Sequence, residues 1–168
     1  GHGIGLGEEW KYIIQDIGLP PRLEDLAQEA LSSNQLRQEI ESLDADRTLL
    51  LIDACHSGAA VSALQQYRGL KALRLLARSV GTHVLAATDR VQSALEINRL
   101  GHGLFTYSVL EALGGKADTL GRGEVSATSL IRYVEETVPL LSRTLTDDIQ
   151  YPTGYSRGLD FPLTRTRP

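Results

Sequence analysis

The chain contains no methionine and a single cysteine, Cys55. One cysteine cannot close an intramolecular disulfide, and an unpaired thiol suits a reducing compartment, so the sequence points to the cytoplasm. No apolar stretch approaches the roughly 20 residues a helix needs to cross a bilayer. No signal-peptide pattern is visible. A sequence that opens at Gly1 without any methionine reads as starting downstream of its native terminus. Basic residues are not in excess: the formal net charge is −4. That balance argues against nucleic acid or an anionic membrane as the main partner. Internal repeats and low-complexity segments are also missing. What remains is 168 residues, 42% apolar and 23% charged, enough for one globular domain over 1–168 with a real core.

Two short apolar runs organise the middle of the chain. Arg47 to Ile52 is nearly continuous, as expected of a strand buried on both faces, and Thr82 to Ala87 is a second such run. Tyr12-Ile13-Ile14 reads as a short strand closed by the turn signal Gly18-Leu19-Pro20-Pro21. Helical spacing recurs over Arg22–Leu31, then after an N-cap at Ser33 through Leu43, and over Ala59–Arg78 with a break near Gly69. The basic stripe Arg68, Lys71, Arg74 and Arg78 on the last of these is a solvated helix face. Thr88 to Gly103 lacks periodicity and is the candidate binding loop. Leu104–Leu113 predicts an amphipathic helix ended by Gly114-Gly115, Ser126 caps a longer helix through Val138, and Leu159–Leu163 is a candidate last strand. Strands alternating with helices predict an α/β sandwich with a mostly parallel central sheet. So few strands make a narrow sheet, which leads us to expect further strands upstream.

Chemistry concentrates where the first buried run ends. Asp53-Ala54-Cys55-His56-Ser57-Gly58 follows Ile52 directly, and α/β proteins bind ligands in the crevice beyond the carboxyl ends of parallel strands. A lone cysteine beside a strand is more often inert than reactive. Here a second glycine-flanked motif, Gly1-His2-Gly3, accompanies it. A cysteine and a histidine brought together from distant positions suit acyl transfer: the thiolate attacks a carbonyl and the imidazole carries the proton to the leaving amine. Gly3 permits close backbone approach, so its N–H and that of Cys55 can face the developing oxyanion.

With a histidine about fifty residues upstream of the cysteine, the chain resembles the caspase-like cysteine peptidases, in their bacterial caspase-homologue, paracaspase and metacaspase branch. The matching pieces are Gly1-His2-Gly3, Asp53 to Gly58, Ala87-Thr88-Asp89 running to Ala94-Leu95-Glu96-Ile97, and Gly103-Leu104-Phe105-Thr106. The resemblance implies a caspase-like α/β/α sandwich whose N-terminal strands lie outside this sequence. It implies that Cys55 is the nucleophile and His2 the proton shuttle, with oxyanion donors from the backbone of Gly3 and Cys55. It also implies that Asp53 and Glu96 line the S1 pocket, where paired carboxylates suit the fixed donors of a guanidinium. The expected substrate is a protein or peptide cut after Arg or Lys, without a cofactor.

Other histidines compete less well. Gly101-His102-Gly103 repeats the motif but opens a helix, His56 adjoins the nucleophile, and His83 lies inside a strand. No metal is expected. The stretch Leu31–Gln35 lacks the carboxylates of a calcium cluster. Asp118–Gly123 has Leu120 and Arg122 where a calcium loop needs oxygen ligands, which makes it a turn. One cysteine and scattered histidines give no zinc spacing. Two alternatives stay open: a non-catalytic interaction module of the same fold, and a related peptidase with another P1 preference.

Overall fold

A computed structural model describes residues 2–6, 9–14, 28–54, 82–87, 96–97, 102–145 and 149–166. Within them the protein is a mixed α/β structure of several small sheets and helices, with no barrel. The expected Gly18–Pro21 turn, the Ala59–Arg78 helix with its basic stripe, and most of the Arg22–Leu31 helix lie outside the described residues.

The N-terminus forms a hairpin, β1 (His2–Leu6) paired antiparallel to β2 (Glu9–Ile13), and β3 (Leu31–Ser32) adds to the far side of β2. The strand expected at Tyr12–Ile14 thus begins earlier and has a partner in the His2 segment. Leu31, read as the end of a helix, is instead committed to a ladder opposite Tyr12. Helix α1 (Ser33–Ser42) follows at once. Its cap is Ser32 rather than the expected Ser33. The Gln35 N–H donates to Ser32 Oγ at 3.1 Å and the Ser32 N–H to Gln35 Oε1 at 2.8 Å, a reciprocal capping box. Ser33 Oγ accepts the Trp10 N–H instead.

The central sheet runs β4 (Thr48–Ile52), β5 (Thr82–Ala86), β9 (Thr153–Arg157). β4 and β5 are parallel, in register from Thr48–Thr82 to Ile52–Ala86, as the two apolar runs predict. β9, which the sequence did not announce, closes the other side of β5 in antiparallel sense, so the sheet expected to be mostly parallel has one parallel and one antiparallel ladder among the described residues. β5 is therefore the strand covered on both faces. Val84 and Ala86 face Trp10, Ile52 and Ala54, with Tyr12 and Leu36 packed alongside. Leu85 and Ala87 face the larger core built by α2 (Leu104–Glu111) and α3 (Ala127–Leu145), through Leu104, Phe105, Val109, Leu130, Ile131, Val134 and Val138. β4 is less buried than its composition suggests: Ile52 is 7% exposed but Leu51 is 40% exposed. Two-residue strands β6 (Glu96–Ile97) and β7 (His102–Gly103) pair just before α2.

α2 ends as its glycines require. It widens into a π-turn over Ala112–Lys116 in which Gly115 takes φ 115°, a region open to glycine at little cost. α3 starts where Ser126 predicts, with Ser126 and Ser129 exchanging backbone N–H to hydroxyl bonds. Its first turn is also held from the tail. β10 (Pro162–Arg165) pairs antiparallel to β8 (Glu124–Ser126), and Asp160, just before it, accepts the Thr128 N–H at 3.0 Å and the Thr128 hydroxyl. A carboxylate at a helix N-terminus also complements the helix dipole.

Partial burial would raise the Asp160 pKa, but the donors of Ser126, Thr128 and Phe161 outweigh it and hold the carboxyl below its ordinary 3.8. A depressed folded-state pKa contributes stability above the unfolded value and loses it as the pH falls through the folded one. Asp160→Asn is therefore expected to be less stable than wild type in urea denaturation at about pH 7. The gap should close as the pH drops below 3.8 toward the folded pKa. A gap that persists undiminished in acid assigns the loss to geometry rather than charge.

Candidate functional site

Parallel pairing brings the carboxyl ends of β4 and β5 to the same edge, and the hydrogen bonding continues one step past the ladder, Ala87 N–H to Ile52 O at 2.9 Å. Asp53 is the next residue, half-buried at this edge, and Ala54 behind it is fully buried. The Asp53 carboxylate is not left to solvent. The Thr106 hydroxyl, in the first turn of α2, donates to Asp53 Oδ2 at 2.5 Å. Hydrogen bonds to an ionised acceptor are the stronger kind, so this contact ties the start of α2 to the end of β4.

The second expected S1 acid approaches the same helix start by another route. Glu96 pairs with Gly103 across the β6–β7 ladder, and Gly103 is the residue on which α2 begins. Backbone pairing therefore brings Glu96 to the helix turn that carries Thr106. Of the Glu96 side chain nothing is described. Cys55 and His56 also lie outside the described residues, as do the 88–95 and 98–101 parts of the candidate binding loop.

His2 opens β1, exposed, opposite Ile13, and Gly3 is half-buried opposite Tyr12. Their hairpin is seated on the strand ends through Trp10, which is 1% exposed and packs with Ile52 and Ala54 on either side of Asp53. Of the competing histidines, His102 sits in β7 opposite Ile97 and is exposed. His83 is fully buried in β5. Its Nε2 faces Leu159 O at 3.4 Å, its ring meets Phe161 edge-on at 5.3 Å, and its Nδ1 has no hydrogen-bond partner among the described residues. His83 thus holds the tail against the sheet.

Asp118 serves its own turn, as the sequence predicts. Its two carboxylate oxygens accept the N–H groups of Arg122 at 2.7 Å and Gly123 at 2.8 Å. Gly121 and Gly123 supply the positive φ the reversal needs. The Arg122 N–H first, and those of its neighbours, hold the Asp118 carboxyl below its ordinary range against the opposing effect of burial. No group of three or more His, Cys, Asp or Glu side chains gathers into a possible metal site among the described residues. Nor is any helix among them long and apolar enough to cross a membrane.

Two residues of this region carried no role in the sequence. Thr106 belongs to a matched segment, but only tertiary contact shows that its hydroxyl reaches an acid 53 positions away. Gln150 is buried, and its Nε2 donates to the Ala87 carbonyl at 2.6 Å. A signal for its neighbour was present. Ser142 stands in phase with the apolar stripe Leu130, Ile131, Val134 and Val138 of α3, where a serine needs a polar reason to be.

No protein-family model matches the chain, and no curated protein matches it.

The Thr106–Asp53 contact predicts a measurable coupling. A double-mutant cycle of Thr106→Val and Asp53→Ala, read by urea denaturation, is expected to give about 1–2 kcal/mol of interaction energy. Thr106→Ser should retain most of it. Additive single-mutant effects would show that the contact does not hold the acid.

Proposed function

We propose that the protein is a caspase-like cysteine endopeptidase, of α/β/α sandwich fold, that cleaves protein substrates after Arg or Lys in the cytoplasm. In this reading His2 removes the thiol proton of Cys55, and the thiolate attacks the carbonyl carbon of the basic P1 residue. The tetrahedral oxyanion faces the N–H groups of Gly3 and Cys55. His2 then gives its proton to the leaving amine as the C–N bond breaks, which leaves a thioester that water hydrolyses. Asp53, with Glu96, receives the P1 guanidinium or ammonium group. The chemistry needs no cofactor.

The observation that supports this reading most is the setting of Asp53. It follows a parallel strand pair at its carboxyl edge, half-buried, with its carboxylate oriented by Thr106. Such an acid can meet a cation without paying again for its own ordering. Trp10 supports the histidine side, because it seats the His2 hairpin on the residues that flank Asp53. The packing of α2 and α3 on one face of β5 supplies one helical layer of the kind such a sandwich needs.

The full-length protein should be assayed on fluorogenic peptides with Arg, Lys, Asp or Asn at P1, with and without calcium. Hydrolysis is expected only after Arg and Lys. His2→Ala should lower kcat/KM by about 10²–10⁴-fold, and Cys55→Ala should abolish turnover. Asp53→Asn is expected to raise KM for Arg substrates roughly tenfold. Cleavage after Asp, or full activity of Asp53→Asn on Arg substrates, would overturn the pocket assignment. Turnover that survives Cys55→Ala would overturn the mechanism.

A further inference from the structure

A buried polar relay runs from α3 to the edge that carries Asp53. Within α3, the Ser142 hydroxyl donates to the Pro139 carbonyl at 3.2 Å, and Ser142 Oγ accepts the Gln150 N–H at 3.0 Å. The Gln150 side-chain amide donates to Ala87 O at 2.6 Å, and the Ala87 N–H donates to Ile52 O at 2.9 Å. Ile52 is bonded to Asp53. Ser142, Gln150 and Ala87 are all essentially inaccessible to water.

Each step has a physical reason. Ala87 lies one residue beyond the β5 ladder, so its buried carbonyl needs a donor from elsewhere. A side-chain amide is well suited, offering two N–H donors on a planar group whose position the backbone fixes. That backbone is itself fixed, because Ser142 accepts the Gln150 N–H. Hydrogen bonds in a dry environment are strong, and a carbonyl stripped of its donor there is costly. The end of β5, which bonds directly to Ile52 of β4, is therefore held in place by a residue that belongs to neither strand.

We infer that Gln150 is a positioning residue for the candidate site: it latches the carboxyl end of β5 and, through the Ala87 N–H to Ile52 O bond, steadies the end of β4 from which Asp53 projects. Thr106 aims the carboxylate, and Gln150 sets its anchor. The site function assigned to this latch rests on the proposed peptidase activity, whereas the latch itself does not.

The test uses two substitutions and two readouts on the full-length protein. In Gln150→Leu, the Ala87 amide is expected to exchange with solvent about tenfold faster by NMR under conditions where urea denaturation shows the variant folded. The KM for Arg substrates should rise about five- to tenfold, by a larger factor than kcat falls, because Asp53 is the first residue beyond the latched strand end. Gln150→Glu keeps the shape, but its new carboxyl can donate to Ala87 O only when protonated. Its Ala87 protection factor should recover as the pH falls through the pKa of that carboxyl, while the wild-type value stays level. A defect purely of packing gives no such pH-dependent recovery, and this variant decides the matter should Gln150→Leu not fold. Wild-type Ala87 protection in both variants overturns the latch. Faster exchange with unchanged KM overturns its role in the site. A wild-type protein inert on every Arg and Lys substrate counts against the peptidase reading instead, and the exchange measurements still decide the latch.

Discussion

The packing of one indole governs how the pieces of this protein meet. Trp10 is the single tryptophan of the chain and is almost fully buried. It projects from the N-terminal hairpin onto Ile52, Ala54, Val84 and Ala86. The hairpin belongs to its own three-stranded sheet, which among the described residues has no ladder in common with the β4–β5–β9 sheet. Burial of apolar surface, here a large aromatic one, is therefore a main force that holds the two sheets in register. The Trp10 backbone adds direction through its N–H to Ser33 Oγ at the start of α1. A nondirectional force and a directional bond thus act on the same residue, and the placement of His2 relative to the strand ends follows from both.

Around the strand ends, polar contacts do what apolar packing cannot. Leu85 and Ala87 on one face of β5, and Val84 and Ala86 on the other, fix the height and tilt of the sheet between its layers. They do not choose where a carboxylate points. That choice falls to Thr106 from α2, with the backbone behind it set by Gln150. The first contact comes from the helical layer that packs on the Leu85 face, and the second from the connection between α3 and β9. Preorganisation of this kind is what binding or catalytic groups require of a scaffold.

The legible parts of the fold were those with strong local signals. Leu49-Leu50-Leu51-Ile52 and Val84-Leu85-Ala86 announced β4 and β5, and Ser126 with the stripe through Val138 announced α3. The N-cap of α1 was misplaced by one residue because Ser32 and Ser33 are both competent acceptors. Gln35, three residues after Ser32, settles the choice. β9 escaped because Thr153-Gly154-Tyr155-Ser156-Arg157 has little apolar alternation, and its strand character comes from the open side of β5. β1, and with it the pairing of the expected strand β2, escaped for a similar reason, since three glycines among residues 1–5 give no strand pattern. At the site, Asp53 could be placed from the end of an apolar run. Thr106 and Gln150 could not, because their partners lie 53 and 63 positions away and nothing local encodes the meeting.

The lateness of β9 in the chain has a consequence for synthesis. β5 gains its antiparallel neighbour only from Thr153–Arg157, and Ala87 gains its donor only from Gln150. A nascent chain that has emerged only as far as α3 contains the sequence of the parallel pair and of all three helices but that of neither closure. Pairings so distant in sequence form slowly, since the loop entropy must be met before the contacts repay it. The ends of β4 and β5 thus gain their last fastenings only from the final part of the fold. If the protein does cut after basic residues, the growing polypeptide, rich in arginine between Arg68 and Arg78, is synthesised before the blade is set.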